Sequence, residues 1–269
     1  MYLGIDVGGT KTLVATLDEQ GSITEDAKFP TPPNYQVFLE KLGAVLQGFQ
    51  AKQFRAGCIA IPGRIDRKRG IGLKFGNLPW QNVPAKADAE NLTGCPFQIE
   101  NDAKLAGLSE ALLLKDKYRK VLYVTMSTGI GVSLIVDGTI DAEVGDGGGR
   151  SLLLEHEGKI MPWEEFAGGK AIFERYGKKA AEITDQKSWQ IISQDLAQGL
   201  IHFISITEPE VVVIGGSVGT YFDRYGLLLE AELEKYPLAM IDLPKIVGAK
   251  HPTEAVIYGC YDLAKQVYG

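Results

Sequence analysis

The feature that most constrains this chain is a strand–turn–strand unit that occurs twice. Tyr2-Leu3-Gly4-Ile5 is a short apolar run that ends at Asp6. Gly8-Gly9-Thr10-Lys11 turns the chain, and Thr12 to Leu17 is a second apolar run, closed by a polar turn at Asp18–Gly21. The arrangement returns at Lys120 to Met126, the turn Ser127-Thr128-Gly129-Ile130-Gly131, and Val132 to Val136, with Asp137-Gly138 as the closing turn. Paired apolar runs around a tight glycine turn predict β-hairpins, and here both tips carry hydroxyls. Each hairpin is followed by helical periodicity and by another apolar run that stops at glycine: 57–61 before Pro62-Gly63, and Val211 to Ile214 before Gly215-Gly216-Ser217. This faint repeat predicts two similar α/β lobes with a cleft between them, the usual ligand position for such sheets.

The remaining elements follow from periodicity. Val37, Leu39, Leu42, Val45, Leu46 and Phe49 recur at helical spacing over 34–50, with Asn34 as N-cap. Residues 64–95 are rich in Gly, Pro and Asn and read as loops with short strands. A strand at 97–100 runs into a helix from Ala103 to Leu114; further helices are predicted at 164–181, 187–207, 220–235 and 254–267, and a short strand at 245–248. The β-branched run 211–214 reads as a strand covered on both faces. His202, inside the apolar segment GLIHFISI, is expected in the core.

Composition narrows the function. A chain of 269 residues can form one large domain or two of roughly 100–150 residues. Glycine is in excess, 32 residues against an ordinary usage of about 7%, and much of it is clustered where backbone would approach a ligand. A net charge of -6 argues against a nucleic-acid footprint, which is usually basic. It does not oppose local phosphate binding by backbone amides. Cys58, Cys95 and Cys260 are far apart, so neither a disulfide framework nor a zinc knuckle is indicated. With no basic segment ahead of the first strand and no apolar run of the ~18 residues a membrane span needs, a cytoplasmic protein is expected.

Four constellations carry chemistry. In Asp6 to Thr12, Gly8 and Gly9 let backbone amides face an anion, Thr10 adds a hydroxyl, Lys11 adds a positive charge, and Asp6 is a candidate to hold Mg²⁺ through water. Ser127, Thr128, Gly129 and Gly131 repeat that physics at the second tip. At Glu100-Asn101-Asp102-Ala103, a strand ends in two polar residues and enters a helix. Asp102 is a candidate general base and Asn101 a sugar-orienting group, although either would also serve as a helix cap. Gly215 and Gly216 form a strand-to-helix turn suited to the close approach of a nucleotide.

Taken together, DVGGTKT, Pro62-Gly63, NLPW at 77–80, ENDA at 100–103, STGIGVSLIVDG at 127–138 and IGGSV at 214–218 resemble, in order and spacing over nearly the whole chain, the ROK family of sugar kinases. The resemblance implies an α/β, two-lobed fold of the actin/hexokinase/Hsp70-like ATPase type, with ribonuclease H-like lobes. The lobes are expected over 1–103 with 254–269, and over 104–253. It implies ATP- and Mg²⁺-dependent transfer of a phosphoryl group to a sugar hydroxyl, with sugar and nucleotide as partners and a homodimer as in many relatives. Asp102 would be the catalytic base; Asn101, Asn77 and Gly63 would lie by the sugar. The first tip (Asp6, Gly8, Gly9, Thr10, Lys11) and the second (Ser127, Thr128, Gly129, Gly131) would hold phosphates, and Gly215 and Gly216 would sit by the adenosine. A non-catalytic sugar or nucleotide sensor and a polyphosphate-using kinase are the alternatives. The family's repressors carry an N-terminal helix-turn-helix; with the first tip at Gly8 to Lys11, no DNA-binding module is expected.

One region departs from the family pattern. Where relatives carry ExGH and then a cysteine-rich zinc motif, this chain has GGGRSLLLEHEG from Gly147 and MPWEEFAGG from Met161. Gly147 stands in the place of a sugar-binding Glu and Arg150 in that of a His, while Glu164 matches the last sugar-binding Glu. With no thiolates there, zinc is not expected. Either the substrate is another sugar or Asp146, His156 or Arg150 substitutes for the lost partners, and a charged Arg150 would favour an anionic sugar.

Overall fold

The computed structural model describes residues 1–269, which form two compact units: Met1–Ser109 with Glu254–Gly269, and Glu110–Thr253. The first boundary falls after Ser109 rather than after Ala103, so most of the helix that follows ENDA belongs to the first unit.

The first unit is built on β1 (Tyr2–Val7), β2 (Lys11–Leu17), β3 (Ile23–Pro30), β4 (Ala56–Ile61) and β8 (Phe97–Asn101), in the order β3-β2-β1-β4-β8. β1 and β2 form the expected antiparallel hairpin, with Asp6 opposite Leu13, while β4 and β8 continue the sheet in parallel. β1 is buried on both faces. Leu3, Ile5 and Val7 join one core with Phe38 and Leu42 of α1 (Tyr35–Gly48) and Ala89 of α2 (Ala85–Thr93). Tyr2 joins another with Leu105 of α3 (Asp102–Leu112) and Ile257 and Cys260 of α10 (Ala255–Tyr268). Asn34 caps α1 as expected, its side chain accepting from Val37 N–H. A small sheet of β5 (Gly63–Asp66), β6 (Ile71–Phe75) and β7 (Gln81–Val83) fills the segment between β4 and α2.

The second unit repeats this order. β9 (Lys120–Met126), β10 (Ile130–Val136), β11 (Thr139–Ile140), β14 (Val211–Gly215) and β15 (Lys245–Gly248) run β11-β10-β9-β14-β15. The β9–β10 pair is antiparallel, and β14 and β15 are parallel additions. The faint sequence repeat is therefore a repeat of topology: hairpin, third antiparallel strand, then two parallel crossovers.

α4 (Gly148–Ser151), a hairpin of β12 (Leu153–His156) and β13 (Lys159–Pro162), α5 (Trp163–Ala167), α6 (Gly169–Tyr176), α7 (Gln186–Thr207), α8 (Gly216–Gly219) and α9 (Phe222–Leu233) complete the unit. The helix expected at 164–181 is broken. Gly168 is extended between α5 and α6, and its N–H bonds Glu164 O at 3.0 Å. His202, expected in the core, is exposed, because α7 buries Trp189, Ile192, Leu196, Leu200 and Ile204 on its other face. No helix is long and apolar enough to cross a membrane.

Candidate active site

In the first unit, the β1–β2 tip is shaped by backbone bonds and a threonine that sequence reasoning missed. Gly8 N–H donates to Lys11 O at 3.0 Å. Thr31, just after β3, donates its hydroxyl to Gly8 O at 2.8 Å and its N–H to Thr10 O at 3.1 Å. The Thr31 hydroxyl also meets that of Thr12 at 2.9 Å in a buried contact. Two carbonyls of the tip are thus consumed by Thr31. Thr10 and Lys11 remain exposed. Gly9 lies against Asn77, and a Cβ on it would stand 3.0 Å from that of Asn77. This brings NLPW to the first tip.

The end of β8 is fixed by a chain of polar contacts. Asn101 donates from Nδ2 to Gly63 O at 3.1 Å and accepts at Oδ1 from Lys104 N–H at 3.2 Å, so it caps α3 and ties it to β5. Asp102 opens α3 and accepts the Ala103 N–H on Oδ1 at 2.8 Å. Capping and function are compatible here: Asn101 caps α3 with one bond from each end of its amide, which has capacity for more, and the Asp102 carboxylate is held by its own helix start. Asp6 closes the group. Burial, with the charge of Asp102 acting in the same direction, pushes its carboxyl up to about 7.

Beneath lies a pair that the sequence did not single out. Arg67, in the β5–β6 turn, donates Nε to Glu100 Oε2 at 2.8 Å and Nη2 to Oε1 at 2.5 Å, and the same Oε1 accepts Asn101 N–H at 2.6 Å. Glu100 is only 5% exposed. A buried carboxylate needs such a bidentate partner. The only signal in the sequence was an arginine in the run RIDRKRG, one basic residue among several.

In the second unit, the β9–β10 tip rests on the break between α5 and α6. Ser127 N–H donates to Gly129 O at 3.0 Å; Gly169 N–H donates to Ser127 O at 2.7 Å and Lys170 N–H to Thr128 O at 3.0 Å. Glu164 accepts Ile130 N–H on Oε2 at 3.3 Å and Arg150 Nε on Oε1 at 2.7 Å. Gly131 pairs with Thr125 inside the hairpin. Gly215 ends β14. Gly216 adopts φ +82 and donates its N–H to Pro252 O at 3.0 Å; a Cβ on it would meet Met126 O at 2.5 Å, directly before the second tip. Gly147 precedes α4, and His156 stacks on Phe166 with ring centroids 4.1 Å apart.

The structure thus gathers the residues singled out in the sequence into two constellations. Asp6, Gly8 to Lys11, Gly63, Asn77, Asn101 and Asp102 lie in the first unit. Ser127 to Gly131, Arg150, Glu164, Gly215 and Gly216 lie in the second.

Known proteins resemble this chain over nearly its whole length. The ROK family model matches residues 2–267. A glucokinase of Streptomyces coelicolor is 24% identical over 99% of this chain and 98% of its own. An N-acetylmannosamine kinase of Salmonella typhi is 29% identical over 88% of this chain and 91% of its own. The crystal structure of a ROK family glucokinase from Streptomyces griseus, in complex with glucose and AMPPNP, superposes with a TM-score of 0.82 at 22% identity. It covers 98% of this chain and 99% of that one, which shows the fold.

Proposed function

This chain belongs to the ROK family, and we propose that it is a sugar kinase that transfers the γ-phosphoryl group of ATP to a hydroxyl of a hexose or hexose derivative. One observation carries the reading: in a single unit, a helix-start carboxylate, Asp102, stands near a second, half-buried carboxyl, Asp6, at the root of a glycine-hydroxyl tip.

Phosphoryl transfer needs positioning and charge neutralisation more than covalent chemistry from the protein. Asp102 takes the proton as the O–H bond of the acceptor breaks. The acceptor oxygen then bonds the γ-phosphorus, and the bond from that phosphorus to the ADP oxygen gives way. Asn101, anchored to Gly63 O and to α3, presents its amide to the sugar, with Asn77 and Gly63 alongside. Gly8 to Lys11 and Ser127 to Gly131 hold phosphate oxygens through amides and hydroxyls, and Gly215 and Gly216 flank the adenosine.

The donor set in the first unit fits Mg²⁺. Two carboxyls near enough for one to raise the other, with Asp6 pushed up to about 7, concentrate negative charge on oxygen that a hard cation offsets. Asp6 would hold the ion through water. Bound there, Mg²⁺ would neutralise charge on the phosphates.

An ADP-release assay over hexoses, amino sugars and acidic sugars tests the proposal. At least one acceptor should support ATP turnover. Measurable ligand binding with no turnover on any acceptor would refute the kinase reading in favour of a sensor, and turnover with polyphosphate but not ATP would refute the donor.

A further inference from the structure

Thr31 reaches across a whole strand to hold the first tip. It follows β3, while the tip joins β1 to β2, and β2 lies between them. Its N–H bond to Thr10 O, 3.1 Å, continues the β2–β3 ladder one step past Lys11 and Pro30. Its hydroxyl bond to Gly8 O, 2.8 Å, belongs to no ladder. Gly8 O can only accept, so the Thr31 hydroxyl has given its one proton there. In the 2.9 Å contact between the two hydroxyls it is therefore Thr12 that donates. Thr12 is fully buried, and the relay from Thr12 to Thr31 to Gly8 runs in one direction. Thr31 is itself fixed. It stands between Pro30 and Pro32, and a residue before proline is confined to extended backbone. Pro33 O accepts the buried Trp80 indole N–H at 3.0 Å, and Asn77 of the same NLPW segment backs Gly9.

We propose that Thr31 is a positioning residue for the first phosphate tip, aiming the amides of Gly9 and Lys11 at the anion. The inference rests on the kinase reading, in which that tip holds nucleotide phosphates. A trans peptide is planar, so its C=O and the N–H of the next residue point in opposite directions. Holding Gly8 O therefore turns Gly9 N–H away from Thr31, and holding Thr10 O does the same for Lys11 N–H. One side chain and its own backbone thus set the two peptide planes on either side of the Gly9–Thr10 bond. Gly9, with no Cβ, has little conformational restraint of its own. A site built from amides works when its donors are aimed before the anion arrives. A valine at 31 would fill the same edge position and keep the ladder bond; only the hydroxyl sets the Gly8–Gly9 plane.

The test separates phosphate from nucleoside. Titration calorimetry is run with a non-hydrolysable ATP analogue and with adenosine, which lacks phosphates. Thr31→Val should weaken the analogue by about three- to tenfold, the worth of a net hydrogen bond, and leave adenosine within about twofold of wild type. Thr31→Ser keeps the hydroxyl and should bind the analogue within about twofold of wild type. In the wild-type chain, the analogue should shift the backbone amide resonances of Gly9 and Lys11, and adenosine should leave them in place. Wild-type affinity of Thr31→Val for the analogue would overturn the proposal. So would an equal loss for adenosine, which marks general damage, or a Thr31→Ser variant as weak as Thr31→Val. If circular dichroism shows that Thr31→Val does not fold, the wild-type resonances decide: no shift at Gly9 and Lys11 on adding the analogue overturns the assignment. A wild-type chain that binds no nucleotide refutes the kinase reading and this proposal with it, a result distinct from normal wild-type binding beside an unaffected Thr31→Val.

Discussion

Replacing Asp6 by asparagine should leave the protein more stable than wild type by a margin that grows as pH rises, an unusual result for loss of a site carboxylate. The reason lies in its surroundings. Burial, helped by the charge on Asp102, moves the Asp6 carboxyl from 3.8 to about 7 in the folded chain. Between those values the folded protein keeps a proton that the unfolded chain has released. The native state then binds more protons, so stability falls as pH rises through this window and is flat below and above it. A shift of about 3 units at 1.36 kcal/mol each gives a ceiling of about 4 kcal/mol; Asp6 keeps some contact with solvent, so the realised value lies below that. Urea unfolding in metal-free buffer should give Asp6→Asn and wild type similar stabilities near pH 4, and a difference favouring the variant that grows to a few kcal/mol by pH 7.5. Mg²⁺ should recover part of the wild-type loss at pH 7.5 and do nothing for the variant. A difference between the two proteins that is constant from pH 4 to 7.5 would refute the reasoning.

Other consequences are as direct. Arg67→Met strands the buried Glu100 carboxylate and should cost about 3–5 kcal/mol, with Arg67→Met/Glu100→Gln recovering much of it; thermal unfolding checks this, and a double variant as unstable as the single contradicts it. Gly63→Ala would put a Cβ 2.0 Å from Lys74 O, backbone that cannot swing aside, so it should lower the melting temperature by several degrees and weaken acceptor binding through the Asn101 contact. Gly216→Ala, at φ +82 and against Met126 O, should lose nucleotide affinity with little change in acceptor KM.

The parts of the fold that the sequence reveals are those where local pattern and tertiary role agree. β1, β4 and β14 are apolar runs because both their faces are covered, and the two tips stand out because glycine and hydroxyl residues interrupt those runs. β3 escapes notice because ITEDAKFP is an edge strand with mostly exposed, charged residues, and its pairing with β2 is a long-range effect. α2, AKADAENLT, buries only Ala85 and Ala89 and has no side-chain N-cap, so it offers neither periodicity nor a start signal within 64–95. The single helix expected at 164–181 splits because Gly168 accommodates the second tip, a demand made by residues 127–130 and invisible in the segment's own periodicity.

At the candidate site, Asp6, Asn101 and Asp102 are legible because each is a polar residue at or beside the end of an apolar strand, a purely local signal. Thr31, Arg67 and the pairing of Arg150 with Glu164 are not, because each acts across a gap in sequence. Thr31 braces a tip formed by residues 8–11, and Arg67 neutralises Glu100 from another sheet.

The central claim, that Asp102 takes the proton of a sugar hydroxyl, is tested most directly by rapid-quench single turnover of radiolabelled ATP with wild type and Asp102→Asn, with calorimetric nucleotide binding measured on both. Loss of a general base predicts a transfer rate lower by about 10²–10⁴-fold in the variant while nucleotide affinity stays within a few-fold of wild type. A variant that transfers phosphate at the wild-type rate would contradict it.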